Sequence, residues 1–569
     1  MRKTESTIRL EACGEALRLL DETLARLGCP QEQTERYRAR MASALCVWQR
    51  TLAPDAPLTI CLSETRRDHV LLLSVPGQRS SPFCRTEKQD RADGTAAQTG
   101  SELRFRYRRG LNQLRLRLPK GNAEEVLFRR ELVTLMLPLS LQMLFETVAS
   151  NVDAVMLGFL DADAMSAVSL VARFTHIHLL VISGLCVALT AMLSQFWGIR
   201  DRKRISQIAS IGMKISVLLS VLFFVPSILF QRRIMTFYTD IPALLDEGVR
   251  YLRIVVFGFL VAPLYRIPYC VMRVTGQMRK SVRFAMIGCG ANLALNAIFI
   301  FGLRLGIRSA AYATLGSALL QAGMVFADGC RADAEKIPWF FGSLVKDPMT
   351  SVFLKRAWPT VSQYLIWILG NNILASAFGH MNADIMAADS ILNIISSIFV
   401  SIARGLSQGA GILMGGMLGR GELERAKKRA RTLVHTGTRF GLINTALFLA
   451  AALALQVLPM RFSAQTLACI RAQAAVYAVN TFFIIYNAVV EDGMLYVGGD
   501  GGYVLFADAI VIWGVLVPVA LLGTHWLPIP AAVMILILRS DQTLSFPFRI
   551  VRWHSGKWAR SLTGKGKGN

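Results

Sequence analysis

Residues Leu144–Leu157 read "LFETVASNVDAVML". They lie within a long apolar run that starts near Leu132, yet they contain two acids, Glu146 and Asp153. Residues seven apart on an α-helix differ by about 20° in rotation and about 10 Å in rise, so the two carboxylates share one face. Ser150 lies close to the same stripe and Asn151 lies nearby. A charge at mid-bilayer costs about 3 kcal/mol or more, so such a face turns to a bundle interior or a water-filled cavity. The stretch predicts a membrane helix with a polar inner face.

The pattern recurs along the chain. Hydrophobic residues make up 53% of it, more than a soluble protein of this length carries. Apolar segments of bilayer-spanning length predict twelve helices, at 132–158, 167–193, 206–230, 250–272, 282–303, 309–328, 352–378, 385–414, 436–459, 472–497, 503–523 and 528–548. The formal net charge of +25 sits largely in alternate loops, among them Arg200–Arg204, Arg273–Lys280 and Arg420–Arg431. Loops such as "LDADAMS" and "GTHWLPIP" hold no Lys or Arg. By the positive-inside rule both termini are expected in the cytoplasm. The same bookkeeping leaves no basic face for nucleic acid. No sustained apolar stretch opens the chain, so no signal peptide is expected. The ten cysteines are scattered without a CxxC pair and read as reduced packing residues, with no metal site expected. GxxxxGK[ST] and HExxH are absent, which argues against an enzyme.

The chain also repeats itself. Pro138 and Pro359, Gln142 and Gln363, Asp163 and Asp384, and Gly198 and Gly419 are all offset by 221 residues and occupy matching topological places. Each half therefore holds six helices. An even number makes the halves parallel, related by an axis along the membrane normal. The expected map is a small α+β domain at 1–120, a first bundle at 130–335, a second at 350–550 and a basic cytoplasmic tail at 551–569.

In the N-terminal region, residues 6–28 and 31–52 show helical spacing. "PLTICLSE", "HVLLLSVPG" and "LRFRYRRGLNQLRLRLPK" show strand patterns, the last with a Gly-Leu-Asn turn. The order is similar to the histidine-kinase-like ATPase fold. That family binds Mg-ATP through a Glu and an Asn on its second long helix. Here Ser43 or Ala42 stands at the Glu position and Val47 at the Asn position, so the resemblance implies a degenerate docking or regulatory domain of unknown partner.

"LPLSLQMLFETVASNVDAVMLG", "LTAMLSQFWGIRDRKR", "GLSQGAGILMGGMLGRGELERAKKRA" and the closing "RWHSGKWAR" resemble the multidrug and toxin extrusion family from about Arg130 to Leu562. The resemblance implies an all-α polytopic protein of a bacterial cytoplasmic membrane. It implies export of organic cations or amphipathic drugs against inward proton or sodium flow, with no organic cofactor. Asp153 falls on the family's helix-1 Asp and is implied as proton carrier or sodium ligand. Asn292 and Asn296, four apart on the fifth helix, could complete that coupling site or serve as interhelical glue. Glu146 replaces a commoner amide; with Asn151, Asn487 and Glu491 it is a candidate for the substrate cavity, or a partner for Arg173, His176 or His178. Glu491 and Asp492 could instead pair with Arg404, and Asp508 reads as structural. Arg266 lies deep and its partner is open. Trp367 and Leu374 occupy the two acid positions in the second half, so coupling chemistry is expected in the first. Two other readings remain: a flippase for lipid-linked precursors, and a membrane sensor with a nucleotide-binding N-terminal domain.

Overall fold

The computed structural model describes residues 3–9, parts of 14–52, 56–64, 68–76, 78, 103–108, 111–119, 123–158, 162–239, 241–330, 348–378, 383–455, 463–525 and 531–563. The side chains of 151–155 and 157–164 lie outside that description. The chain divides into two compact units, Met1–Thr134 and Leu135–Asn569.

The first unit holds a five-stranded antiparallel sheet in the order β1-β2-β3-β5-β4. Its strands are β1 (Lys3–Arg9), β2 (Pro57–Glu64), β3 (Asp68–Pro76), β4 (Leu103–Arg108) and β5 (Leu111–Pro119). Alternate residues Leu58, Ile60, Leu71, Leu73 and Val75 are buried together with Leu20, Met41, Leu45 and Trp48, as a one-sided sheet core requires. Two expectations are corrected. Helical spacing was expected from residue 6, but Thr4–Ile8 pair with β2 as an edge strand. Leu111 and Asn112 of the expected Gly-Leu-Asn turn are already paired in β5, with Arg108 and Tyr107 of β4. Ser43 and Val47 lie outside the described residues.

The second unit is helical. The first half contains α1 (Ala123–Gly158), which enters it at Leu135, α2 (Ala162–Gly198), α3 (Arg202–Leu229), the short α4 (Gln231–Thr236), α5 (Pro242–Val255), α6 (Phe257–Val274), α7 (Met278–Ala297) and α8 (Arg308–Cys330). The second contains α9 (Pro348–Phe378), α10 (Ala383–Gly419), α11 (Leu423–Ala454) and α12 (Ala464–Val490), then α13 (Gly501–Asp508), α14 (Val517–His525), α15 (Ala531–Leu538) and α16 (Asp541–His554). π-helical turns extend α7 and α12 and join α13 to α14. Among the described residues nine helices are long and apolar enough to cross a membrane, or ten with α5 and α6 as one bent span. The 31-residue α9 and the broken pair α15–α16 complete the twelve expected segments. Several helices overrun their apolar cores. α11 starts at Leu423 rather than 436 because turns carrying Arg425, Lys427 and Lys428 stay helical where hydropathy has already fallen.

The halves meet through α2, which packs against both α9 and α10. A Cβ added at Gly198 would overlap the Gly416 carbonyl, and one at Gly419 would overlap the backbone of Gln195. These are one contact seen twice, since Gln195 and Gly416, like Gly198 and Gly419, are 221 residues apart. Gly405 meets Ser140 and Gly184 meets Val361, again an exchanged pair at the same offset. Gly415 meets Ser194, its own counterpart. Reciprocal contacts of this kind define a two-fold relation, here a pseudo-symmetry between halves. Its axis passes between Ser194 and Gly415. The loops that follow are matched too: Arg200 and Gly421, also 221 apart, both take left-handed φ, 58° and 81°. Phe353, Ala357 and Val361 of α9 join the core built by α2, α3 and α6, which closes the basic end further.

Gly419→Leu would drive a side chain into the backbone of Gln195. Overpacking against a backbone costs about 3 kcal/mol. A fall in the midpoint of thermal unfolding of the detergent-solubilised chain is expected, with Gly502→Ala, which meets open space, as the neutral control.

Candidate transport site

Polar side chains of the two halves meet between α1, α6 and α10. Arg273 of α6 donates from Nη1 to Gln408 Oε1 of α10 at 3.2 Å, and Gln408 Nε2 reaches Met143 Sδ of α1 at 3.9 Å. Three elements from both halves thus converge. On α1, Gln142 donates to Glu146 Oε1 at 2.7 Å. Glu146 is also within electrostatic reach of the Arg266 guanidinium on α6. Arg266 rests near the Tyr265 ring, 5.7 Å from its centroid, and its Nε is buried without a hydrogen-bond partner among the described residues. Tyr269, on the next turn, donates to Gln321 Oε1 of α8 at 3.2 Å. A side chain at Gly288 of α7 would overlap that same Gln321, so the glycine allows the helix to close on it. His178 of α2 bonds Ser220 at 3.0 Å and packs on Phe259, which makes it a satisfied interior histidine.

The second half holds a fuller network. Arg549 of α16 donates to Glu491 Oε1 at 2.7 Å, to Asp508 Oδ1 at 2.5 Å and to its own Ser545 carbonyl at 3.2 Å. Gln363 of α9 donates to Asp508 Oδ2 at 2.6 Å, and Tyr496 donates to Gln363 Oε1 at 3.0 Å. The π-helical turn at Glu491–Leu495 carries Glu491, and the one at Ala509–Leu516 starts beside Asp508. Wide turns of this type often mark functional positions in helices. Asp492 accepts from Ser407 of α10 at 2.6 Å. Asp389 of α10 takes a two-nitrogen fork from Arg539 and accepts from Tyr477 at 2.7 Å.

At the basic end the chain's last described residues return between the halves. Gln195 of α2 donates to the Val497 carbonyl at 2.6 Å and the Arg560 carbonyl at 3.3 Å, and accepts from the Leu562 amide at 2.8 Å. Thr563 donates to the Gly419 carbonyl at 2.7 Å, and Trp558 is buried. Residues 555–563 therefore tie α2 to α10 and to the turn after α12.

The expected site residues divide as follows. Asp153 and Asn151 lie on α1, with side chains outside the described residues. Asn296 donates to Asn292 at 3.3 Å, both buried in α7. Glu146 faces Arg266, a partner different from Arg173, His176 and His178. Asn487 and Glu491 both bond within the second half. Asn487 donates to the Gln542 carbonyl at 2.9 Å, and Glu491 pairs with Arg549 rather than Arg404, because a carboxylate buried in the bundle demands its cation there. Sequence reasoning missed Arg549. The signal was available: α16 continues to His554, and Arg549 follows Ser545 by one helical turn, facing inward. The Gln195 clamp was also missed, although Gln195 lies at the repeat offset from Gly416.

A family model described as MatE matches residues 138–298 and 359–495, together more than half of the chain. This chain belongs to the MatE family. The two matched segments start 221 residues apart, at the internal repeat. MatE members are transporters rather than enzymes. The chain is 23% identical over 434 residues to the probable multidrug resistance protein YoeA of Bacillus subtilis, covering 72% of this chain and 92% of that protein. It is 24% identical over 305 residues to the probable multidrug resistance protein NorM of Chromobacterium violaceum, covering 50% and 64%. Among solved structures it resembles a MATE family transporter of the MOP superfamily in an outward-facing conformation, with TM-score 0.64, 17% identity and 78% and 97% coverage. It also resembles a MOP superfamily transporter from Pyrococcus furiosus described as having a binding pocket of reversed polarity, with TM-score 0.66, 16% identity and 75% and 96% coverage. In this MatE chain the elements named above thus belong to a two-bundle membrane transporter.

Two measurements check the geometry. Arg549→Met would leave Glu491 and Asp508 buried without their cation, at a cost of about 3–5 kcal/mol. Thermal stability in detergent should fall accordingly, and adding Asp508→Asn and Glu491→Gln should restore most of it. Gln195→Ala should speed hydrogen exchange of the Leu562 amide at least tenfold, because that N–H loses its acceptor.

Proposed function

We propose that this MatE protein is a secondary active exporter of small amphipathic compounds, organic cations among them, driven by inward flow of protons or sodium ions. The observation that carries the reading is the reciprocal contact of α2 with α9 and α10 about one axis, closed at the basic end. Two halves joined this way can rock between two packings, the physical requirement for alternating access. We read the basic end as cytoplasmic and the membrane as the bacterial plasma membrane. On that reading the closed end faces the cytoplasm and the conformation is outward-facing. The multidrug-resistance names of YoeA and NorM support drug-like substrates.

Coupling requires that ion and substrate prefer different states. We assign the ion to Asp153, with Asn292 and Asn296 as neighbouring polar support in the first bundle and Glu146 and Asn151 toward the substrate. Asp153→Asn is expected to abolish gradient-driven export from vesicles while leaving the folded chain in the membrane. Proton and sodium gradients imposed one at a time identify the ion; full export by Asp153→Asn would overturn the assignment. A second location is favoured by one specific observation. Arg549 offers one positive charge to two buried carboxylates, Glu491 and Asp508, which leaves one negative charge for a proton or sodium ion to balance. Export that survives Asp153→Asn but fails in Glu491→Gln would move the coupling site to the second bundle.

A further inference from the structure

Arg266, Arg273 and Arg404 bring three positive charges to the region between the halves, with Glu146 and Asp492 in electrostatic reach. α6 and α10 both run toward the basic end, so 266 to 273 and 404 to 408 descend in the same sense. The Arg273–Gln408 hydrogen bond fixes a common level between them. Arg266 stands about 10 Å above that level on the same face of α6, and Arg404 stands about 6 Å above it on the face of α10 that carries Gln408. Arg404 reaches across to the first half, where it acts electrostatically on His176 of α2. Within its own half it acts on Tyr364 and Asp492. Arg266 acts on His178 of α2, the same helix. The two guanidiniums therefore flank the cleft from opposite halves, above a floor made by a third.

These cations are under-used. Among the described residues no carboxylate lies within ion-pair distance of Arg266, Arg273 or Arg404. The buried Nε atoms of both Arg266 and Arg273 lack hydrogen-bond partners there. A guanidinium donor left unmatched in a low-dielectric interior is costly, and its planar fork is shaped for an oxyanion. Glu146 acts on Arg266, and Asp492 on Arg404, through space only.

We propose that Arg266 and Arg404, from opposite bundles above the Arg273–Gln408 bridge, form an oxyanion subsite, so that the preferred substrates are amphipathic compounds bearing a carboxylate or similar anion. This rests on the exporter reading and narrows its substrate class. The anion bridges the two halves on the side away from the closed end, and its release accompanies their separation. A substrate's aromatic or aliphatic body lies against the apolar walls of the cleft, while charge-assisted hydrogen bonds to the two guanidiniums fix its head.

The test compares two dyes on one xanthene scaffold, anionic fluorescein and cationic rhodamine 6G, by fluorescence anisotropy with the purified full-length chain. Fluorescein is expected to bind the unmodified protein more tightly than rhodamine 6G does. Arg404→Gln and Arg266→Gln are each expected to weaken fluorescein at least tenfold and to leave rhodamine 6G within threefold. Arg404 is exposed, so its variant is informative even if Arg266→Gln disturbs folding. Tighter binding of rhodamine 6G by the unmodified chain would overturn the proposal, as would unchanged fluorescein affinity in Arg404→Gln. Because binding needs no gradient, its failure is distinct from failure of gradient-driven export.

Discussion

The crossing of α2 and α10 at Gly198, Gly415, Gly416 and Gly419 is the constraint on which the rest of the membrane unit depends. In lipid there is no hydrophobic drive between helices, so association rests on close packing and polar contacts. Glycine lets the two backbones touch, and the touching brings every other inter-bundle partner into range. Gln195 can clamp the Arg560 carbonyl and the Leu562 amide only because Gly419 offers no side chain to keep α10 away. Arg273 can reach Gln408 for the same reason, since α6 packs on α2 and α2 on α10. A pivot made of backbone against backbone also has little to compress.

Around that pivot the halves have been spent differently. The backbone plan is duplicated, but the polar groups are not. The second half compensates Asp508 and Glu491 with Arg549, Ser545, Gln363 and Tyr496, and Asp389 with Arg539 and Tyr477. The described part of the first half has no comparable closure. Glu146 has the amide of Gln142, and Arg266 has a tyrosine face. A fully satisfied network rigidifies, whereas a partly satisfied one is poised to accept a ligand. Among the described residues the polar groups of the second half are thus the more fully paired.

Much of this was legible in the sequence because membranes simplify the code. Apolar length marked the twelve segments, and the 221-residue offset marked the pseudo-symmetry before any coordinates. The offset also contained the contacts themselves, since Gly184 and Gly405 obey it and both sit at inter-bundle crossings. Helix ends were less legible, because the turns beyond the apolar core are helical but polar, as in α1 and α11. The edge strand β1 was hidden because Thr4–Ile8 is too short to separate a period of two from one of 3.6. Side-chain pairing was least legible. Nothing in local sequence tells Arg549 that its partners are 41 and 58 residues away, and the choice between Arg404 and Arg549 for Glu491 depends on how α12 and α16 turn toward each other.

The position of the tail gives the asymmetry a direction. Residues 555–563 hydrogen-bond both halves at the basic end, so separating the halves there would break the Gln195 clamp and the Thr563–Gly419 bond. Each such bond is worth about 1 kcal/mol net, so the clamp biases the equilibrium by a few kcal/mol without locking it. A bias of that size suits a transporter, because ligands can shift an equilibrium only by their differential affinity for the two states. An ion or substrate that gains a comparable energy in one packing can reverse the balance. A tail that bound much more tightly would hold the chain in one packing, and one that bound nothing would leave the basic end to the glycine crossing alone.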